Sequence, residues 1–328
     1  MLNIEHFEQI SLDGTWRFQL LHSPTEKIGK RWASIPVPGL WTMQEPSEVF
    51  FDRPIYTNVQ MPFEEQPPFV PAENPTGVYE RDFDVPKSWS GKRIVLQVGG
   101  YESVALVYIN GQEVGLSKDS RLAAEFDVTN FVQSGNNVLR IDVTKWSDAT
   151  FIEDQDQWWH GGITRSIKLY ATNKVFIEKF AAIAGLEKDL STGTLDVRAK
   201  ISSIDNESTD GYSLHLAIRE LPKVKSARIS ALLKNFVPPI WTETPEEVAL
   251  AARDYFHAKF WNGNLPQSAK TAVSIMEPPP HGEIALQTKV SKIKAWSAEE
   301  PNLYTLDIEL RNPEGAVIEV SQQRIGFR

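Results

Sequence analysis

Apolar and polar residues alternate with a period of two along most of this chain, the pattern of strands with one buried and one wetted face. In the run Gly14 to Leu20, Trp16, Phe18 and Leu20 share one face, and Arg17 and Gln19 the other. Tyr79, Phe83 and Val85 stand against Glu80, Asp82 and Asp84 in the same way. The pattern returns at Leu139, Ile141 and Val143, and at Ile167, Leu169 and Ala171. Between Val104 and Leu116 two such runs flank Asn110-Gly111, the dipeptide best suited to the two positive φ values of a type I′ hairpin turn. The segment from Arg53 to Gly77 carries six prolines, which remove backbone donors. It predicts an ordered loop wrapped on the module rather than a central strand.

Many short strands and few helical stretches predict an all-β protein. The texture changes near residue 180: only three of the ten tryptophans lie beyond Trp159. Alternation at Leu195 to Ala199 and Leu214 to Ile218 resumes at Ile284 to Val290, Tyr304 to Leu310 and Ile318 to Val320, predicting a second, smaller sandwich. We therefore divide the chain into domains at 1–176 and 177–328, the second interrupted by an insertion at about 219–282. Inside that insertion Thr244-Pro245-Glu246-Glu247 fits a capping box with proline at the first helical position, and predicts a helix to about Lys259.

The 328 residues carry 41% hydrophobic and 23% charged positions, ordinary for globular protein. A net charge of -9 argues against nucleic acid or an anionic membrane as main partner, since both need clustered Lys and Arg. With no cysteine, a disulfide framework and thiolate metal sites are excluded. The first residues lack the basic and apolar regions of a signal peptide, and no run of eighteen apolar residues occurs, so the expectation is a cytoplasmic protein. None of the six histidines forms a helical i, i+4 pair, and no phosphate-binding loop or nucleophile elbow is present.

The chemistry-bearing run is Trp146 to Trp159, which holds Asp148, Glu153, Asp154 and Asp156 and ends in paired tryptophans. Carboxylates accept hydrogen bonds from sugar hydroxyls, an indole face covers the apolar side of a pyranose, and a carboxylate also suits a hard cation. The plainer reading makes the tryptophans core and the acids wetted surface. Asp154 and Asp156 are a poor acid/base pair: two positions apart on one strand they would lie about 7 Å apart on the same face, whereas a glycosidase places its acids on opposite sides of the sugar.

Several motifs together make the chain resemble the large β-galactosidases of glycoside hydrolase family 2. They are Phe51 to Val59, Pro67 to Pro71, Glu73 to Gly77, Asp119-Ser120-Arg121, Trp146 through Trp159, Ala295 to Tyr304 and Ile325-Gly326-Phe327-Arg328. The resemblance implies a jelly-roll, sugar-binding-type domain followed by an immunoglobulin-like sandwich with a partly helical insertion. In the family a TIM barrel comes next and holds the two catalytic glutamates; here the sequence stops where it would start. No catalytic residue is therefore expected in this chain, which would be inactive alone. The parent is implied to be a retaining β-galactosidase acting on terminal β-D-galactosides such as lactose, homo-oligomeric, using Na+ and Mg2+ without a tightly bound cofactor.

The same resemblance implies that a loop of the first domain completes the galactose subsite. Asp156 matches a residue that approaches both the galactose and a sodium ion. Glu102 stands where the best-known members carry a sugar-binding asparagine. Arg121 and Arg165 are expected to pair with local acids, and Trp158 and Trp159 to belong to the core. The alternatives are a free-standing carbohydrate-binding module or one subunit of a split enzyme.

Overall fold

In a computed structural model the described residues are 5–6, 8–45, 50–58, 60–204, 207–221, 271–276 and 283–328. The expected helix from Pro245 to about Lys259 lies outside them. Every regular element of more than four residues among them is a strand, the helical pieces being short 3-10 turns. The chain divides into two compact units, one of Met1–Phe176 with Ser202–Thr209, the other of Ile177–Ile201 with Asp210–Arg328.

The first unit is a two-sheet antiparallel sandwich of jelly-roll type. In its six-stranded sheet the neighbours are Gln112–Ser117, Val104–Ile109, Gly135–Thr144, Thr76–Val85, Gly14–Leu21 and Ala33–Val37. The opposing sheet orders Ala124–Asp127, Arg93–Val98, Ile167–Thr172 and Gln9–Ser11. The alternating residues of both sheets meet in one core, where Phe18, Tyr79, Leu96, Val107, Ile141 and Leu169 are fully buried. The hairpin forms as the dipeptide predicts, with φ of 52° at Asn110 and 79° at Gly111.

Two small sheets close the end of this sandwich where the chemistry-bearing run lies. Tyr101–Glu102 pairs with Gly162–Ile163, which pairs with Gly39–Leu40. Gln157–Trp159 pairs with Ile55–Thr57, so the proline-rich loop contributes a short strand despite its composition. The prolines flank this strand, leaving Ile55, Tyr56 and Thr57 with the N–H groups that pairing needs. Trp41 wedges into the same end: a Cβ added at Gly161 would stand 2.2 Å from its ring, so only glycine fits there.

In the second unit Val317–Ile325, Tyr304–Arg311, Ser213–Glu220 and Thr271–Met276 are successive neighbours in one sheet. The other sheet places Thr192–Ser203 between Val175–Leu186 and Glu283–Ser291. Leu195, Val197, Leu306, Ile308 and Leu310 are buried as the alternation requires. Phe327, near the end of the sequence, is fully buried, with its ring edge-on to Tyr304 at 5.3 Å between centroids. Thr271–Met276 departs from expectation: it falls within the stretch read as an insertion, yet it forms a ladder with Ser213–Glu220. Its alternation is only six residues long and isolated in sequence, too little to register as a strand of the sandwich.

Candidate functional site

The run from Trp146 is shaped first by a cap. Ser147 Oγ accepts from Ala149 N at 3.2 Å and Thr150 Oγ1 accepts from Ser147 N at 2.9 Å, which nucleates the 3-10 turn Asp148–Phe151. The chain then passes through Glu153 to Asp156 and enters the strand Gln157–Trp159. Because successive strand residues face opposite ways, the paired tryptophans separate. Trp159 is buried and donates Nε1–H to Thr57 Oγ1 at 2.8 Å. Its ring meets Trp146 edge-on at 5.6 Å, and Trp146 meets Phe63 at 5.3 Å, giving the site an aromatic floor.

Trp158 corrects the expectation that both tryptophans are core: it is 54% exposed. Directly across the ladder sits Tyr56, also half exposed, with the two ring centroids 5.6 Å apart. The Tyr56 hydroxyl donates to Asp156 Oδ1 at 2.7 Å, and this hydrogen bond to a carboxylate raises the phenol's pKa above its ordinary value. Asp156 Oδ2 has no partner among the described residues. The result is an open aromatic ledge with a carboxylate fixed at its edge, suited to a molecule with one apolar face and a rim of hydroxyls.

The acids around the ledge have different duties. Asp148 takes both its oxygens to Lys118 Nζ at 2.8 Å, and that ammonium lowers its pKa. Glu153 accepts from Ser120 N at 3.0 Å and from Ser120 Oγ, tying the loop to the Asp119-Ser120-Arg121 segment. Asp154 is exposed and has no hydrogen-bond partner among the described residues. It also precedes the strand, so the separation expected for two acids on one strand does not apply to Asp154 and Asp156.

Glu102 is buried, with Oε1 at 3.3 Å from Arg121 Nη2. Burial raises its carboxyl pKa, while Arg121 and Lys145 pull it down and Glu153 adds to the rise. At 5% exposure Glu102 lies beneath the surface, whereas Tyr56 and Trp158 of the ledge are half exposed. Arg121 therefore pairs with an acid as expected. Arg165 instead donates to main-chain carbonyls, those of Arg121 at 2.8 Å and Gly99 at 3.3 Å.

Lys145 and Asp52 went unnoticed in the sequence. Lys145 Nζ lies 2.8 and 2.9 Å from the two oxygens of Asp52, with side-chain exposures of 1% and 10%. Asp52 also accepts from Trp41 Nε1 at 2.8 Å, and Lys145 donates to the Arg53 carbonyl at 3.2 Å. Burial lowers the Lys145 pKa against the opposing pull of Asp52. This pair pins the loop carrying Tyr56 to the end of the Gly135–Thr144 strand. A lysine directly after an alternating strand and an acid within a proline-rich loop were the available signals.

Among the described residues no group of three or more His, Asp or Glu side chains is arranged to hold a metal. Asp156 offers one carboxylate, one oxygen of which is engaged by Tyr56, whereas hard cations take about six oxygens or more. Asp156 alone does not make up such a coordination shell. None of their helices is long and apolar enough to cross a membrane.

Comparison with known proteins adds the relatives. A family profile described as "Glycosyl hydrolases family 2, sugar binding domain" matches residues 9–173, and "Glycosyl hydrolases family 2" matches 257–328. The beta-galactosidase of Psychromonas ingrahamii is 31% identical over 331 residues, covering 98% of this chain and 28% of that protein. That of Kluyveromyces lactis is 32% identical over 329 residues, covering 97% and 29%. The chain thus spans under a third of the length of these relatives. Among solved structures, a Bifidobacterium dentium beta-glucuronidase aligns at TM-score 0.62 and 17% identity, covering 99% of this chain and 49% of that one. A glycosyl hydrolase family 2 member from Bacteroides cellulosilyticus aligns at 0.63 and 15%, covering 98% and 36%. At those identities the structural likeness speaks for the fold alone.

Proposed function

The chain belongs to glycosyl hydrolases family 2, and from that membership we propose that it is the non-catalytic N-terminal part of a retaining β-galactosidase. The parent enzyme in this reading hydrolyses terminal β-D-galactosides such as lactose, and the first unit lends the Tyr56–Trp158 ledge and Asp156 to the galactose subsite. The observation that carries it is the match to beta-galactosidases along 97–98% of this chain but only 28–29% of theirs. A retaining mechanism needs two carboxyl groups about 5–5.5 Å apart across the scissile bond, one as acid and one as nucleophile. In this reading Asp156, already engaged by Tyr56, binds rather than reacts, and the catalytic pair belongs to the remainder of the parent enzyme.

Asp156 then has a binding role. Tyr56 fixes one oxygen, and the other accepts a hydroxyl hydrogen bond while the aromatic ledge shields the sugar's apolar face. Coordination of Na+ by Asp156 belongs to the same reading, with further oxygen ligands beside its carboxylate. Glu102 keeps one oxygen on Arg121 and, in this reading, has its second carboxylate oxygen left to accept from the sugar or from the loop that binds it. Homo-oligomeric assembly and a cytoplasmic location complete the proposal, the latter resting on the cysteine-free composition.

The test is turnover of a chromogenic β-galactoside. The purified chain alone should give none, and co-expression with the remaining polypeptide of such an enzyme should restore it. Activity that stays with the purified chain overturns the proposal. Galactose binding by the chain alone that disappears in Trp158→Ala would instead favour a free-standing carbohydrate-binding module.

A further inference from the structure

We propose that the first unit carries a second carbohydrate site, a cleft for a neutral mono- or disaccharide at the end of the sandwich opposite the Tyr56–Trp158 ledge. The Thr76–Val85 strand sets the separation. Thr76 begins it beside Thr144 and the Trp146 run, and Val85 ends it in the wall of the cleft, roughly 30 Å away for ten extended residues. The cleft has a volume of about 420 Å³, within the usual range for small-ligand sites.

Its walls are the turn after Pro86 and the loop following Ala124–Asp127. That loop is fixed in advance. Asn137, itself buried, accepts from Gln133 N at 2.8 Å and donates to the carbonyls of Gln133 and Gly135, each at 2.8 Å. Thr129 Oγ1 accepts from Ile94 N at 3.0 Å and donates to Asp127 Oδ1 at 2.6 Å. A ligand here meets a preorganised surface and pays little ordering entropy.

The lining chemistry selects the ligand class. Pro86, Trp89, Val132 and Ile204 give an apolar wall. The side chains of Ser90, Asn130 and Ser134 line the cleft and have no hydrogen-bond partner among the described residues. Each ionic group of the lining is already matched: Lys92 with Glu8, Lys174 with Glu207 at 3.3 Å, and Asp127 with Arg93 at 2.9 Å. A phosphate or carboxylate would find no uncompensated charge, whereas hydroxyls find free donors and acceptors beside apolar surface. This inference stands apart from the β-galactosidase reading, since it requires nothing of the ledge.

The experiment is saturation-transfer NMR and calorimetry on the 328-residue chain with lactose, maltose and sucrose, and with inorganic phosphate as the anionic comparator. At least one disaccharide should bind. Its affinity should be unchanged in Trp158→Ala and lower by about tenfold in Asn130→Ala, the size of one lost hydrogen bond. Ser134→Trp, which fills the cleft, should abolish it. Both cleft positions are exposed, and circular dichroism confirms that each variant is folded. Failure of all three sugars to bind, binding that only Trp158→Ala removes, or displacement of sugar by phosphate overturns the proposal.

Discussion

Asp52→Asn should be among the most damaging conservative changes in the first unit, because it keeps the shape of the side chain and strands a buried charge. Lys145 is 1% exposed and its ammonium is held by both Asp52 oxygens. Removing one member of a buried ion pair costs about 3–5 kcal/mol. Asparagine still offers an oxygen to Trp41 Nε1, so a loss near the lower end, about 3 kcal/mol, is expected. For a unit of this size each kcal/mol moves the melting temperature by about 2–4 °C, giving a fall of roughly 6–12 °C. Lys145→Met should cost a comparable amount by stranding Asp52. The double variant should cost less than the sum by about 2 kcal/mol, since it leaves neither charge unpaired.

The pH dependence carries the sign. In the folded Asp52→Asn protein burial acts on Lys145 without its counter-charge, so its pKa falls further below the ordinary 10.5. Between those two values the unfolded chain binds more protons than the folded one, so stability rises with pH. The deficit of the variant should therefore shrink on going from pH 7 toward pH 10. The assay is urea denaturation followed by tryptophan fluorescence across that range. A deficit under about 1 kcal/mol, or one constant with pH, would refute the account of a buried pair.

Asp156→Asn should bring the Tyr56 phenol back down toward its ordinary pKa, because the raising hydrogen bond is to the carboxylate; ultraviolet titration against a Tyr56→Phe control reads this. Burial pushes the Asp142 carboxyl up to about 6, so the folded state binds the extra proton between roughly pH 4 and 6 and stability falls as pH rises through that window. Asp142→Asn should flatten that slope and gain on the order of 1 kcal/mol at pH 7, measured by denaturation at both pH values. Gly161→Ala, whose new methyl would stand 2.2 Å from the Trp41 ring, should lose about 1–3 kcal/mol or more by the same measurement.

The sandwiches were legible because alternation is local. Trp16 with Phe18, or Leu139 with Ile141, declare a buried face within a few residues, and Asn110-Gly111 declares its turn unaided. What stayed hidden depends on partners far away in sequence. Thr271–Met276 is a strand by virtue of its ladder with Ser213–Glu220. Ser202–Thr209 belongs with the first unit although alternation carries the chain onward through the second. Nothing within either segment records those neighbours.

The ledge shows the same division on a smaller scale. Adjacent strand residues face opposite ways, so only one of Trp158 and Trp159 enters the core, against the expectation that both would. Which one, and beside what, was fixed only by the pairing of Gln157–Trp159 with Ile55–Thr57, about a hundred residues apart. That register sets Tyr56 opposite Trp158 and within reach of Asp156, joining a tyrosine from a proline-rich loop to an acid that only resemblance had singled out. A shift of one residue would turn Trp158 inward, expose Trp159, and carry Tyr56 away from the carboxylate. The buried Lys145–Asp52 pair resists such a slip by pinning the loop three residues before the strand begins. The stability of a buried ion pair and the geometry of an exposed sugar-facing ledge are thus one feature, and variants that loosen the pair should also weaken whatever the ledge binds.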